Sequence, residues 1–240
     1  MSVFLLRVFT FVILPLLLAG LAVRLDKGAR TRERRIEVFL IYMFALGAAA
    51  GISNWGGHIF AADQVAESIG WAPGSPFQLE MGFANLSYGI LAIIAMGRRD
   101  GFREATVIGA TVMAVGATLV HLWDIAQTGN LAPGNTVQNI MNLARPALLI
   151  GLLAASRRAE RLPTSEAGTL AFDAWRGSVI AVAGPIAAGV GVGLGVGLAV
   201  GQPLGGMLLG LAGGAAFGLF FRSRNAVPAA STERDLTAAD

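Results

Sequence analysis

The chain has 240 residues, 55% of them hydrophobic and only 14% charged, with a mean hydropathy of +0.64. That composition lies well to the apolar side of soluble domains and predicts an integral membrane protein. The net charge of +3 comes from 18 Lys and Arg against 15 Asp and Glu, but the basic residues sit in short clusters between apolar runs, so they read as membrane topology and exclude a nucleic-acid surface. Cysteine is absent, which excludes disulfides, thiolate metal sites and cysteine nucleophiles.

Residues 2–23 form an apolar run of about the ~20 residues that a bilayer requires. Its LAGLA sequence resembles a signal-peptide cleavage site, but the n-region of the run has only Arg7, while Arg24, Lys27, Arg30, Arg32, Arg34 and Arg35 follow it. Such a cluster resists export, so the expectation is an uncleaved helix with its N-terminus outside. A second span, 36–60, ends with Asn54 and His58, four apart and on one helix face. The loop 61–74 holds Asp63, Glu67 and Trp71 without any Lys or Arg and belongs outside.

Ser75-Pro76-Phe77-Gln78 then predicts a helix start, with Ser75 as N-cap, Pro76 at the first helical position and Gln78 completing a capping box. The third span is 76–96, with Glu80 in its first turns, where the helix dipole favours a carboxylate. A fourth, 104–123, delivers His121 and Asp124 three apart, close enough for the carboxylate to orient the imidazole. The fifth, 136–155, opens with Gln138, Asn139 and Asn142 and carries Arg145-Pro146 inside its apolar run. An arginine there is costly unless it faces a partner, and Glu80 or Asp124 is the expected one; otherwise it is an anion-binding group.

These five spans make a core, 1–161, followed by an amphipathic or irregular linker, 162–177. Residues 178–221 form a glycine-rich hairpin in which Gly189, Gly193, Gly197 and Gly201 recur every four positions, as do Gly206, Gly210, Gly214 and Gly218. Such glycine-zipper ridges let helix backbones approach closely, within one chain or between copies in a homo-oligomer or membrane complex. The tail, 222–240, is expected to be disordered and cytoplasmic. Of the 18 basic residues, 15 fall in the four segments assigned inside. The predicted fold is an all-α membrane bundle of about seven helices, N-terminus out and C-terminus in, with Trp55, Trp71 and Trp123 near the outer interface.

This topology gathers polar residues from several helices toward the outer leaflet. A divalent transition-metal site would use His58 and His121 with Glu80 and Asp63 or Asp124. Both histidines could instead be axial ligands of one b-type haem. In a third reading the groups relay protons or bind a small solute on a transport path, with Asn54, Gln78, Asn85, Asn135, Asn139 and Arg145 as substrate-binding or orienting groups. The plainest alternative is interhelical hydrogen bonding in a structural or scaffold subunit. No nucleophile with a base at diagnostic spacing is present.

The elements GH-x4-D, IGW, GSPFQ-x-E and APGN, within 36–153, resemble an uncharacterised family of small prokaryotic multi-pass membrane proteins. The resemblance implies a plasma (inner) membrane location and a site at the matching residues His58, Asp63, Gln78, Glu80, Asn85, His121 and Asn135. It implies no activity, and the glycine hairpin is an addition beyond the pattern.

Overall fold

The structure, a computed structural model, describes residues 3–26, 31–159 and 166–224, all in helices or short turns. Most of the expected tail, 225–240, lies outside them. The helices are α1 (Val3–Leu25), α2 (Arg32–Phe60), α3 (Ala62–Ile69), α4 (Phe77–Gly97), α5 (Gly101–Thr128), α6 (Pro133–Ala159, with a break at Val137), α7 (Glu166–Ala199) and α8 (Pro203–Arg224). All but the short α3 are long and apolar enough to cross a membrane, seven in total among the described residues. They run alternately up and down, so His58, His121 and the α7–α8 turn share one end, the histidine end. Arg35, Arg99, Arg157 and Arg222 share the other, the basic end.

The helices extend beyond their apolar runs where polar caps allow it. Thr31 accepts a hydrogen bond from the Arg34 N–H, starting α2 before the expected position 36. Asp100 does the same for α5 through the Phe102 N–H. In α1, Phe9–Ile13 widens into a π-helical turn just ahead of Pro15, which has no N–H for the Phe11 carbonyl.

Three local expectations change. The loop 61–74 contains α3, whose eight residues bury only Ala66 and stop at Gly70 in the left-handed region (φ 81°), so its apolar signal was too slight to register. Ser75 Oγ accepts from the Phe77 N–H, and the Gln78 side chain turns to His58 instead of reaching back, so no capping box forms. From Glu166 onward the expected linker is the first turns of α7, because the apolar run after Phe172 propagates helix back through it.

Helix α2 is the axis of the bundle: Leu40 to Gly51 is an unbroken buried stretch. Helix α4 crosses it where Gly51 and Gly89 meet; a Cβ on Gly51 would lie 2.7 Å from Asn85 O and Gly89 Cα. The hairpin packs on the same axis through Val182, Ile186, Val190 and Leu194, members of one core with Tyr42, Leu46 and Ala49. Its two glycine ridges face each other within the chain: a Cβ on Gly193 would sit 2.1 Å from Gly206 O, and one on Gly189 2.1 Å from Gly210 O. At such separations only glycine fits.

At the basic end, Glu37 is enclosed by two guanidiniums. Arg103 donates from Nη1 and Nη2 to its two carboxylate oxygens at 2.9 and 2.7 Å, and Arg176 Nε lies 2.8 Å from Oε1. Arg103 Nε also donates to Ala95 O (2.9 Å) and Arg176 Nη2 to Gly97 O (2.5 Å), so both cations cap the negative C-terminal end of α4. All three side chains are buried. One carboxylate thereby ties α2, α4, α5 and α7 together.

Candidate functional site

Between α1, α2, α4, α5 and α6 lies a cavity of about 550 Å³. By the ~1.5 Å rise per residue along α5 from Val107 to His121, both on its wall, it extends roughly 20 Å from the histidine end into the bundle. One wall is polar: Asn54 and His58 from α2, Gln78, Asn85 and Tyr88 from α4, Gln138, Asn142 and Arg145 from α6. The α5 wall is apolar or small, from Val107 through Ala110, Met113 and Ala117 to Val120. Its one hydroxyl there, Thr111, is spent on Val107 O at 2.7 Å.

Two arginines line this cavity, Arg7 and Arg145, and among its lining residues there is neither Asp nor Glu. The Nε atoms of both are buried without a hydrogen-bond partner, and neither guanidinium has an ion pair among the described residues. The expected pairing of Arg145 therefore does not form. Glu80 is exposed on the outside of α4, and Asp124 is already engaged elsewhere. Arg145 reaches the middle of α2, where Gly47 makes room for it: a Cβ there would be 3.0 Å from Arg145 Nη2. Pro146 follows it inside the helix and supplies no N–H to the Asn142 carbonyl, adding a spare acceptor to a residue of the same wall.

Both histidines line the cavity. His58 Nδ1 is 2.7 Å from Gln78 Oε1 and His121 Nδ1 is 2.7 Å from Asn135 Oδ1. Each amide oxygen can only accept, so Nδ1 carries the proton in both rings. Nε2 of each has no protein partner among the described residues. Asn54 Nδ2 donates to Asn85 Oδ1 at 3.3 Å, bridging α2 and α4 behind the histidines.

The carboxylates have other tasks. Asp124 Oδ2 accepts from Trp71 Nε1 (3.0 Å), Asn130 Nδ2 (2.8 Å) and Asn135 Nδ2 (2.9 Å). Asn130 Nδ2 also donates to Ile69 O at 2.8 Å. Trp71 stacks on His121 with ring centroids 5.5 Å apart and lines the cavity beside it. These contacts fasten α3 and the following turn to the α5–α6 connection. Gly134 completes the join, since a Cβ there would be 2.6 Å from Ser68 O. Asp63 Oδ1 accepts from the Gly74 N–H at 2.8 Å and shapes the loop. Asn139 Nδ2 donates to Asn135 O at 3.1 Å, one turn back.

Thus His58, His121, Gln78, Asn54, Asn85 and Arg145 come together around one cavity, whereas Asp63, Glu80, Asp124, Asn135 and Asn139 do not line it. Among the described residues no three of His, Asp and Glu approach closely enough to hold a metal, so the expected five-residue set is not assembled. Arg7 was missed: as the lone charge of a signal-like run it resembled an n-region. Its signal was available, because with Arg145 it is one of two basic residues embedded in an apolar run. The chain belongs to the Family of unknown function (DUF6790), matched over residues 6–162, which covers nearly all of the cavity and ends before α7. No curated protein and no solved structure matches the chain.

Proposed function

We propose that this is a multi-pass membrane protein, histidine end outward, that binds an anionic solute in the cavity and serves as the binding unit of a carrier. The observation that supports this most is the pair of guanidiniums facing a cavity with no carboxylate. A cation held away from water needs a counter-charge, and the price of leaving it bare is about 2.5–3.5 kcal/mol at the centre of a membrane helix. A carboxylate or phosphate oxygen accepting from Arg145 would supply that charge with short, strong hydrogen bonds. His58 and His121 and the amides of Gln78 and Gln138 would orient the rest of the solute. The belt of exposed apolar residues, from Leu17 and Leu21 to Ile108, Leu119 and Leu209, fits immersion in lipid.

Titration calorimetry of the purified protein in nanodiscs tests this with a panel of carboxylates and phosphate esters. Binding should be lost or weakened roughly 10- to 150-fold in Arg145→Gln, the equivalent of about 1.5–3 kcal/mol for hydrogen bonds to a charged group. No anion bound, or equal binding in the variant, would refute it.

The histidines favour a second reading. A ring whose Nδ1–H is held by an amide oxygen presents Nε2 in the manner of a metal or haem ligand. Elemental analysis and a visible spectrum of the purified protein decide it: bound metal or a Soret band lost in His58→Ala and His121→Ala would support the metal or haem proposal, and their absence would sink it.

A further inference from the structure

The cavity is closed at both ends along the bundle and open at its side. At the histidine end, Val65, Ser68, Ile69 and Trp71 line it from above, and α3 is pinned there by the Trp71–Asp124 and Asn130–Ile69 hydrogen bonds. At the basic end, Arg103 stands one turn below Val107, the deepest α5 residue of the wall, locked to Glu37 and to the end of α4. At the side, three lining residues also belong to the outer apolar surface: Phe77 is 48% exposed, Val112 68% and Val120 53%. Phe77 starts α4, and Val112 and Val120 lie along α5, so the lining of the cavity runs out to the apolar surface on both helices.

We infer that the ligand is a membrane-borne amphiphile, an apolar chain ending in a carboxylate or phosphate, that reaches the cavity from the bilayer between α4 and α5. This rests on the anion-binding reading above and narrows it to a lipid-derived anion. The two walls match such a molecule. The head meets Arg145 with the amides of α2, α4 and α6, and the chain lies along α5, whose wall offers no free polar group short of His121. A volume of about 550 Å³ is within the ~300–1,000 Å³ range of small-molecule sites, enough for a single chain and too small for a two-chain phospholipid held whole.

Photolabelling of the full chain in vesicles tests the inference, with a long-chain carboxylate bearing a diazirine in its tail. Label should map to α5 peptides containing Met113 and Ala117, and an unlabelled long-chain carboxylate or alkyl phosphate should compete at least tenfold better than butyrate or the matching long-chain alcohol. Arg145→Gln should lose the label and Arg145→Lys retain part of it. Val112→Trp, which places an indole at the side of the cavity, should slow labelling by the long-chain probe severalfold. If butyrate competes as well as the long-chain acid, the lipid class is overturned and the anion site stands. If label falls only on outward-facing residues and is indifferent to Arg145→Gln, the cavity is not its site. If neither long nor short anions bind, the anion-binding reading itself fails.

Discussion

Arg103 and Arg176 at the basic end and Arg7 and Arg145 along the cavity are four guanidiniums inside one helix bundle, and the protein treats the two pairs in opposite ways. The first pair shares Glu37 and takes up the last carbonyls of α4, so each cation has a counter-charge and acceptors within the fold. The second pair has no carboxylate on its wall. Where a chain supplies the anion itself, a buried arginine is architecture. Where it leaves the anion out, folding carries a standing cost that a bound ligand can relieve. The same residue type therefore answers to opposite tests.

The largest effect is expected from Glu37→Ala, which would strand two buried cations and lower stability by about 3–5 kcal/mol. Thermal unfolding in detergent should show it as a steep fall in Tm, with Arg176→Met falling less because Arg103 keeps its bidentate pair. Next comes Gly210→Ala. Its Cβ would lie 1.9 Å from Gly189 O, a backbone atom that cannot step aside, and overpacking of this kind costs about 1–3 kcal/mol. Intramolecular cross-linking across the hairpin would register the widened gap.

Arg145→Met should reverse the sign: the ligand-free protein gains stability, by up to about 2.5–3.5 kcal/mol, while anion binding disappears. A Tm that falls in this variant as it does for Glu37→Ala would erase the contrast between the two pairs. Gly47→Ala offers a finer probe, since its methyl group would press on Arg145 Nη2 without removing charge. Weaker anion binding at nearly unchanged Tm is expected.

The smallest effect belongs to Asp100, at the exposed start of α5. Its carboxyl is held below the usual aspartate range first by hydrogen bonding from the Arg98 guanidinium and then by the Phe102 N–H. A depressed folded-state value means that the stabilisation is present above the ordinary range near ~3.9 and is lost as pH falls through the lower folded value. Asp100→Asn should therefore unfold slightly earlier than the parent near neutrality and converge with it in strong acid. Because the pair is exposed, added salt should shrink the difference.

Sequence reasoning reached the elements more readily than their partners. Seven apolar runs separated by charge-biased loops identify the helices because length and hydropathy are local properties. Counting helices led to the expectation that His58, Asp63, Glu80, His121, Asp124, Asn135 and Asn139 converge, and of these only the two histidines line the cavity. Partner choice did not follow, because it depends on which face each helix presents. Asp124 looked like a ligand three residues from His121, yet it accepts hydrogen bonds from Trp71, Asn130 and Asn135, two of them from separate loops whose paths no periodicity records. Glu37 lay unnoticed among the basic residues at the start of α2. A carboxylate there signals burial only once Arg103 and Arg176 are known to arrive from other helices.

The position of Glu37 on the second helix also has a meaning for biosynthesis. Its second guanidinium, Arg176, emerges from the ribosome roughly 140 residues later, on the order of 7–30 s at ordinary elongation rates. Until then the earlier helices hold the Glu37–Arg103 pair on a face that still lacks its cover. Insertion of the glycine hairpin would be the event that closes the nascent bundle, and a chain released before it would offer quality-control proteases an unfinished seam.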